Sequence, residues 1–299
     1  MLTSSLIFGI INWSLVLLSI SIFVCIFLIF IEIIHEQRSH DASLLLILNT
    51  CFSAFLTSLT VIIMISSNLI HEFLLINIDI CYLCGLFYDT FECSIYYSYC
   101  LHAFYRLIRV IYYNQRKFFS YNLYKFLILI QWLLTILLIL PTYFLKWYVH
   151  LPIEKYCFIS NTNIIGSIYL IIFLYSIPLL TIIMIYILIT RHIRSPTIIR
   201  IQERQRNLRD LTIIKHILIC VLMLVILRFP TIIFIIFGLI YGHLYYLTHP
   251  IVGSVTAICL ILIGLLSILA TNKIKKHFLK HLNHPSTQIH PTHNQILLL

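Results

Sequence analysis

Seven apolar runs, each twenty residues or longer, restrict this 299-residue chain to one class of fold. They are Gly9–Ile34, Leu44–Ile70, Ile80–Ile108, Phe126–Trp147, Ile164–Thr190, Leu211–Tyr241 and Ile251–Ala270. Crossing about 30 Å of hydrocarbon takes about 20 helical residues, so each run can span a bilayer. In lipid every backbone polar group needs an internal partner, which only helices and closed barrels supply. Runs of this length without polar alternation exclude the barrel. With 61% hydrophobic and 10% charged residues, the chain has too little polar surface for a soluble globule. The expected fold is an all-α membrane protein, a seven-transmembrane helix bundle over residues 9–270.

The first run carries no charge between Met1 and Ile31 and is about twice the length of a signal-peptide core, so it reads as a first transmembrane helix. Orientation follows from lysine and arginine. With the N-terminus outside, the cytoplasmic segments hold Arg38; Arg106, Arg109, Arg116, Lys117 and Lys125; Arg191, Arg194, Arg200, Arg204, Arg206, Arg209 and Lys215; and Lys273, Lys275, Lys276 and Lys280. That is seventeen of the 20 basic residues; Lys146 and Lys155 stay outside, and Arg228 lies within a span. The positive-inside rule then places the N-terminus outside and the C-terminus inside. The net charge of +10 is a sidedness signal, and no nucleic-acid partner is implied.

The gaps between runs are short, which makes sequential helices antiparallel neighbours. The longest cytoplasmic gap is broken by Ser195-Pro196 and then reads helically into the sixth span. After the seventh, Ile274, Phe278 and Leu282 recur at helical spacing among lysines, so residues 271–283 are expected to lie flat on the inner leaflet. Residues 284–299 then form a cytoplasmic tail.

Four side chains are costly in lipid: Asp89, Glu92 and His102 in the third run and Arg228 in the sixth. Asp89 and Glu92 are three apart, hence on one helix face, with Tyr88, Tyr96 and Tyr97 nearby. Arg228 precedes Phe229-Pro230, where proline should kink the helix. Two compatible readings stay open: a ligand cavity in the outer half of the bundle, with Glu92 paired to Arg228, or a buried ion pair that only locks helix packing. The formal glycosylation sequon Asn12-Trp13-Ser14 lies too near the first span to carry weight.

Catalysis has no support, since neither HExxH nor GxSG occurs. His281, His284, His290 and His293 read as a solvated tail rather than a zinc site, because no cysteine or carboxylate accompanies them. The seventh run has no lysine for a retinal Schiff base, and no cofactor is expected. Nine cysteines, an odd number, exclude a complete disulfide framework. Cys81, Cys84 and Cys157 lie at or beyond the outer face, where oxidation is permitted.

Several spacings then agree. Cys81 and Arg106, the latter within Tyr105-Arg106-Leu107, are 25 residues apart; Tyr186 follows Pro178 by eight; Asp210 precedes Pro230 by twenty. Trp132 and Pro141 share the fourth run, and Cys157 follows it. This pattern resembles the rhodopsin-like (class A) G protein-coupled receptors. The likeness covers residues 44–241 most closely, in the manner of a divergent orphan or chemosensory receptor. It departs in that Tyr105 stands for the acid before the arginine and Leu107 for the tyrosine after it. The sixth-helix motif reads Leu227-Arg228-Phe229-Pro230, the seventh run has no NPxxY, and the second has no aspartate for the family's sodium site.

The resemblance implies a multi-pass plasma-membrane receptor with an extracellular ligand, a heterotrimeric G protein and the lipid bilayer as partners. The polar, aromatic patch then supplies the expected ligand contacts: Tyr88, Asp89, Glu92, Tyr96 and Arg228. The resemblance implies an activation switch of Arg106, Tyr186 and Asp210, with a looser resting lock because Tyr105 is not a carboxylate. It also implies a Cys81–Cys157 disulfide, with Cys84, one turn below, as the competing partner. The alternative is a polytopic transporter or channel using Asp89, Glu92 and Arg228 as an intramembrane ion or proton relay.

Overall fold

The computed structural model describes residues 2–37, 42–70, 78–112, 120–151, 156–159, 163–194, 229, 232–234, 236–237, 240 and 248–270. The expectations for Arg228, Asp210, the cytoplasmic gap after Arg194 and everything after Ala270 lie outside these residues. In chain order come α1 (Leu2–Gln37), α2 (Ala42–Ile70), α3 (Ile78–Ile111), α4 (Tyr121–Phe144), β1 (Tyr148–Leu151) and β2 (Tyr156–Ile159). Then α5 (Ile164–Leu170), a π-helical segment (Ile171–Ser176) and α6 (Ile177–Arg194) run on as one rod through the fifth apolar run. The last helix is α7 (Thr248–Ala270). Described residues of the sixth run, such as Phe229 and Ile232, are helical.

Among the described residues three helices are long and apolar enough to cross a membrane, over Ala42–Met64, Tyr121–Phe144 and Ile164–His192; Trp13–Leu28 and Ile251–Ser267 are shorter apolar stretches. α3 is different because it is the axis of the bundle. It packs against α2, α4, α6 and both strands. Its buried residues include the polar Asp89, Glu92, Ser94, Ser98, His102 and Arg106, so its polarity faces protein rather than lipid.

Hydroxyls make α2 compatible with lipid by bonding back to their own helix. Thr50, Ser53, Thr57, Ser58 and Thr60 each donate to the carbonyl four residues earlier, at 2.8–3.2 Å. The same face then binds its neighbours. Asn49 Nδ2 donates to Gln131 Oε1 at 2.7 Å, and Trp132 Nε1 donates to Asn49 Oδ1 at 2.9 Å. Gln131 Nε2 donates to Ser94 Oγ at 2.8 Å, and Ser94 meets Ser53 at 2.9 Å. Thr50 lies 2.8 Å from Ser98 Oγ and 3.2 Å from His102 Nε2. Each buried polar atom here has a partner, so the network ties α2, α3 and α4 in one register.

The main apolar cluster joins α1, α2, α3, α6 and α7 through Phe23, Cys51, Ala54, Ile95, Tyr99, Ile182, Tyr186, Leu260 and Ile263. Gly264 lets α7 approach α1: a Cβ there would meet Ile22 Cγ2 at 2.6 Å.

The π segment has a covalent cause. The Ile177 N–H reaches back five residues to the Ile172 carbonyl, and Pro178 next to it has no N–H. Phe173 O thus loses both helical donors, and the Tyr97 hydroxyl of α3 donates to it instead, at 3.3 Å.

The fourth helix sits earlier than the apolar run Phe126–Trp147 implied. It starts at Tyr121 and stops at Phe144, because Lys146 adopts φ 52° and turns the chain away before Trp147. The following stretch, expected as a plain gap, contains an antiparallel hairpin in which Tyr148 pairs with Ile159, Val149 with Phe158 and His150 with Cys157.

Candidate functional site

The N-terminal half of α3 carries the candidate cavity. Cys81, in its first turn, is bonded to Cys157 of β2, with Cα atoms 5.4 Å apart. Cys84 is a free thiol packed against that bridge, so the pairing implied by the resemblance is the one present. The hairpin is thereby held against α3.

Below the bridge, Asp89 is buried, and its Oδ2 accepts the Tyr148 hydroxyl at 2.7 Å. Thr142 Oγ1, in the last turn of α4, lies 3.1 Å from the same hydroxyl. Burial, and then the adjoining Asp89 carboxylate, push the Tyr148 phenol far above its ordinary range, so it stays a proton donor. Tyr88 is buried with its ring 5.1 Å from that of Phe158 in β2.

One turn deeper, Glu92 is buried and its Oε1 accepts the Tyr175 hydroxyl at 3.4 Å. The Tyr96 ring meets Tyr175 edge-on, with centroids 5.2 Å apart. Tyr169 donates to the Leu138 carbonyl at 2.7 Å and packs on Phe173 at 4.5 Å, which fixes the rod to α4. Tyr88, Asp89, Glu92 and Tyr96 therefore share one aromatic, acidic region beneath the hairpin. Arg228, expected among them, is not described.

The opposite end of α3 carries the candidate switch. Arg106 is buried, and its guanidinium carbon stands 5.7 Å from the centre of the Tyr105 ring. Tyr105 in turn meets Tyr124 of α4 edge-on at 5.2 Å, and Ala42 and Leu46 of α2 complete that cluster. Tyr186 is buried in the main core beside the lower half of α3. Asp210, the third expected member, is not described.

Sequence reasoning missed Tyr148 and Tyr175. Tyr175 had a signal, being three residues before Pro178 on the fifth run. Tyr148 had none, since its role depends on a hairpin held by a distant cysteine. It also missed Asn49 and Gln131, each an amide inside an apolar run, which is itself a mark of a buried bond.

The family model described as 7 transmembrane receptor (rhodopsin family) matches residues 12–270. No curated protein matches the chain.

Proposed function

Because the chain belongs to the rhodopsin family of seven-transmembrane receptors, we propose that it binds an extracellular ligand in the outer half of its bundle and activates a heterotrimeric G protein at its basic cytoplasmic face. That family is one of receptors, and its members are multi-pass membrane proteins; plasma-membrane residence and the particular partners are part of the proposal. The observation that carries it is the division of α3. An acidic, aromatic cluster lies under the hairpin at one end, and the buried Arg106 lies at the other. One rigid helix thus connects a place for a ligand with a place for a transducer.

The ligand cavity comprises Tyr88, Glu92 and Tyr96, with Asp89 above them and Arg228 from the sixth span. In the resting state Arg106 faces Asp210. A ligand that binds the open bundle better shifts the equilibrium by that difference in affinity and no more. Opening releases Arg106 to the G protein, and Tyr186 turns inward to support it. The test is a ligand screen in cells co-expressing a promiscuous G protein, with ion flux recorded in the same cells. Second-messenger responses lost in Arg106→Ala and raised without ligand in Asp210→Asn support the receptor. Ion flux that needs Asp89, Glu92 and Arg228, with no G protein response, would make the chain a transporter or channel instead.

A further inference from the structure

Cys81, Gly85 and Asp89 recur every four residues along α3, so they form one stripe on one face of the helix. All three touch the hairpin. Cys81 holds β2 covalently through Cys157. Gly85 leaves room for β1, since a Cβ there would meet the Tyr148 ring carbons at 2.8 and 2.9 Å and the Cys157 carbonyl oxygen at 3.0 Å. Asp89 accepts the hydroxyl at the far end of that same ring at 2.7 Å. The ring therefore lies along the stripe, from the glycine to the carboxylate.

From this geometry we infer that the stripe is a docking track for the hairpin, and that Asp89 is its positioning residue rather than a ligand contact. The inference deepens the proposed function, because the hairpin roofs the cavity proposed above. A disulfide alone is one tether, about which the hairpin could pivot. Tyr148 lies on the other strand, so its bond to Asp89 is a second tether at a different point and removes the pivot. Thr142, 3.1 Å from the hydroxyl, braces it from α4. The two acids of α3 thereby divide their work: Asp89 sets the roof, and Glu92, with Tyr175 and Tyr96, belongs to the cavity beneath.

The test needs neither ligand nor G protein. Amide hydrogen exchange over residues 148–159 is measured on the full chain in lipid nanodiscs, with the disulfide intact. Asp89→Leu and Tyr148→Phe should each speed exchange by about tenfold, as loss of a bond worth about 1.4 kcal/mol implies. Asp89→Asn keeps an acceptor and should stay close to the parent chain. The double variant Asp89→Leu/Tyr148→Phe should be no faster than either single one. Gly85→Ala, which strands no charge, should also speed exchange if Tyr148→Phe fails to fold; Val149→Ala, on the exposed side of β1, should not.

Exchange unchanged in Asp89→Leu, Asp89→Asn as fast as Asp89→Leu, or additive effects in the double variant would each overturn the track. A chain that shows the expected exchange pattern but never signals through a G protein keeps the track and loses the receptor reading.

Discussion

At Tyr105 the chain has an aromatic ring where the motif of the family it resembles has an acid before the arginine. A looser hold on Arg106 is proposed for that reason, and the ring offers a contact of its own. The guanidinium carbon lies 5.7 Å from the ring centre, within reach of a cation–π attraction, and Tyr124 supports the ring edge-on. Such a contact contributes about 0.5–1 kcal/mol when exposed and about 2 when desolvated. Removing about 1 kcal/mol shifts a two-state equilibrium by about fivefold. Tyr105→Leu should therefore raise ligand-independent signalling severalfold at equal surface expression, whereas Tyr105→Phe, which keeps the ring, should not. Equal basal activity in both variants would leave Arg106 governed by its other neighbours. A similar argument applies to Glu92, proposed to pair with Arg228. Stranding one buried charge costs more than removing both. Glu92→Gln should thus reduce surface expression more than Glu92→Gln with Arg228→Leu, and additive losses would show that the two do not interact.

Among the elements, the fifth span shows how one residue sets a helix boundary and its cure. Pro178 withholds an N–H, the backbone takes a π turn, and Tyr97 supplies the donor that Phe173 O has lost. Tyr97→Phe leaves that carbonyl without its tyrosine and should lower the stability of the purified chain by about 1 kcal/mol. For a chain of this size the thermal midpoint should fall by about 2 °C, and an unchanged midpoint would mean that the carbonyl is satisfied another way. Lys146 presents the opposite case. It holds a positive φ that costs a side-chain-bearing residue about 1–2 kcal/mol, so Lys146→Gly should raise the midpoint. The helices were legible from their apolar runs because burial in lipid demands length and little else. Their ends were not. α4 reaches back to Tyr121 because Lys125 can lay its ammonium over the Tyr121 ring, 4.7 Å from its centre, and remain in a helix that the apolar count excluded. The hairpin left no local trace, because Tyr148–Leu151 and Tyr156–Ile159 are ordered by contacts with α3 and not by their own pattern. The acidic pair on α3 was legible from its cost in lipid; that one member binds a loop and the other a fifth-span tyrosine was not.

Over the whole molecule, two independent signals support one proposed direction for α3. Its first turn carries the Cys81–Cys157 bridge, a bond that forms and persists in oxidising compartments. Its last turns carry Arg106 and Arg109, and basic residues concentrate at the cytoplasmic ends of spans. Both signals run α3 from outside to inside. α1 and α2 precede it, so on that proposed direction parity puts the N-terminal end of α1 outside. With seven spans the end of α7 is inside, which agrees with the lysines at 273, 275, 276 and 280. An epitope tag before Leu2 should therefore stain on intact cells, and one after Leu299 only once the cells are permeabilised. Tags found in the same compartment would break the parity and, with it, the assignment of the hairpin to the ligand side and Arg106 to the transducer side. A swap of the two tags would instead keep seven spans and place the bridge in a reducing compartment, an arrangement that the bonded Cys81 and Cys157 argue against.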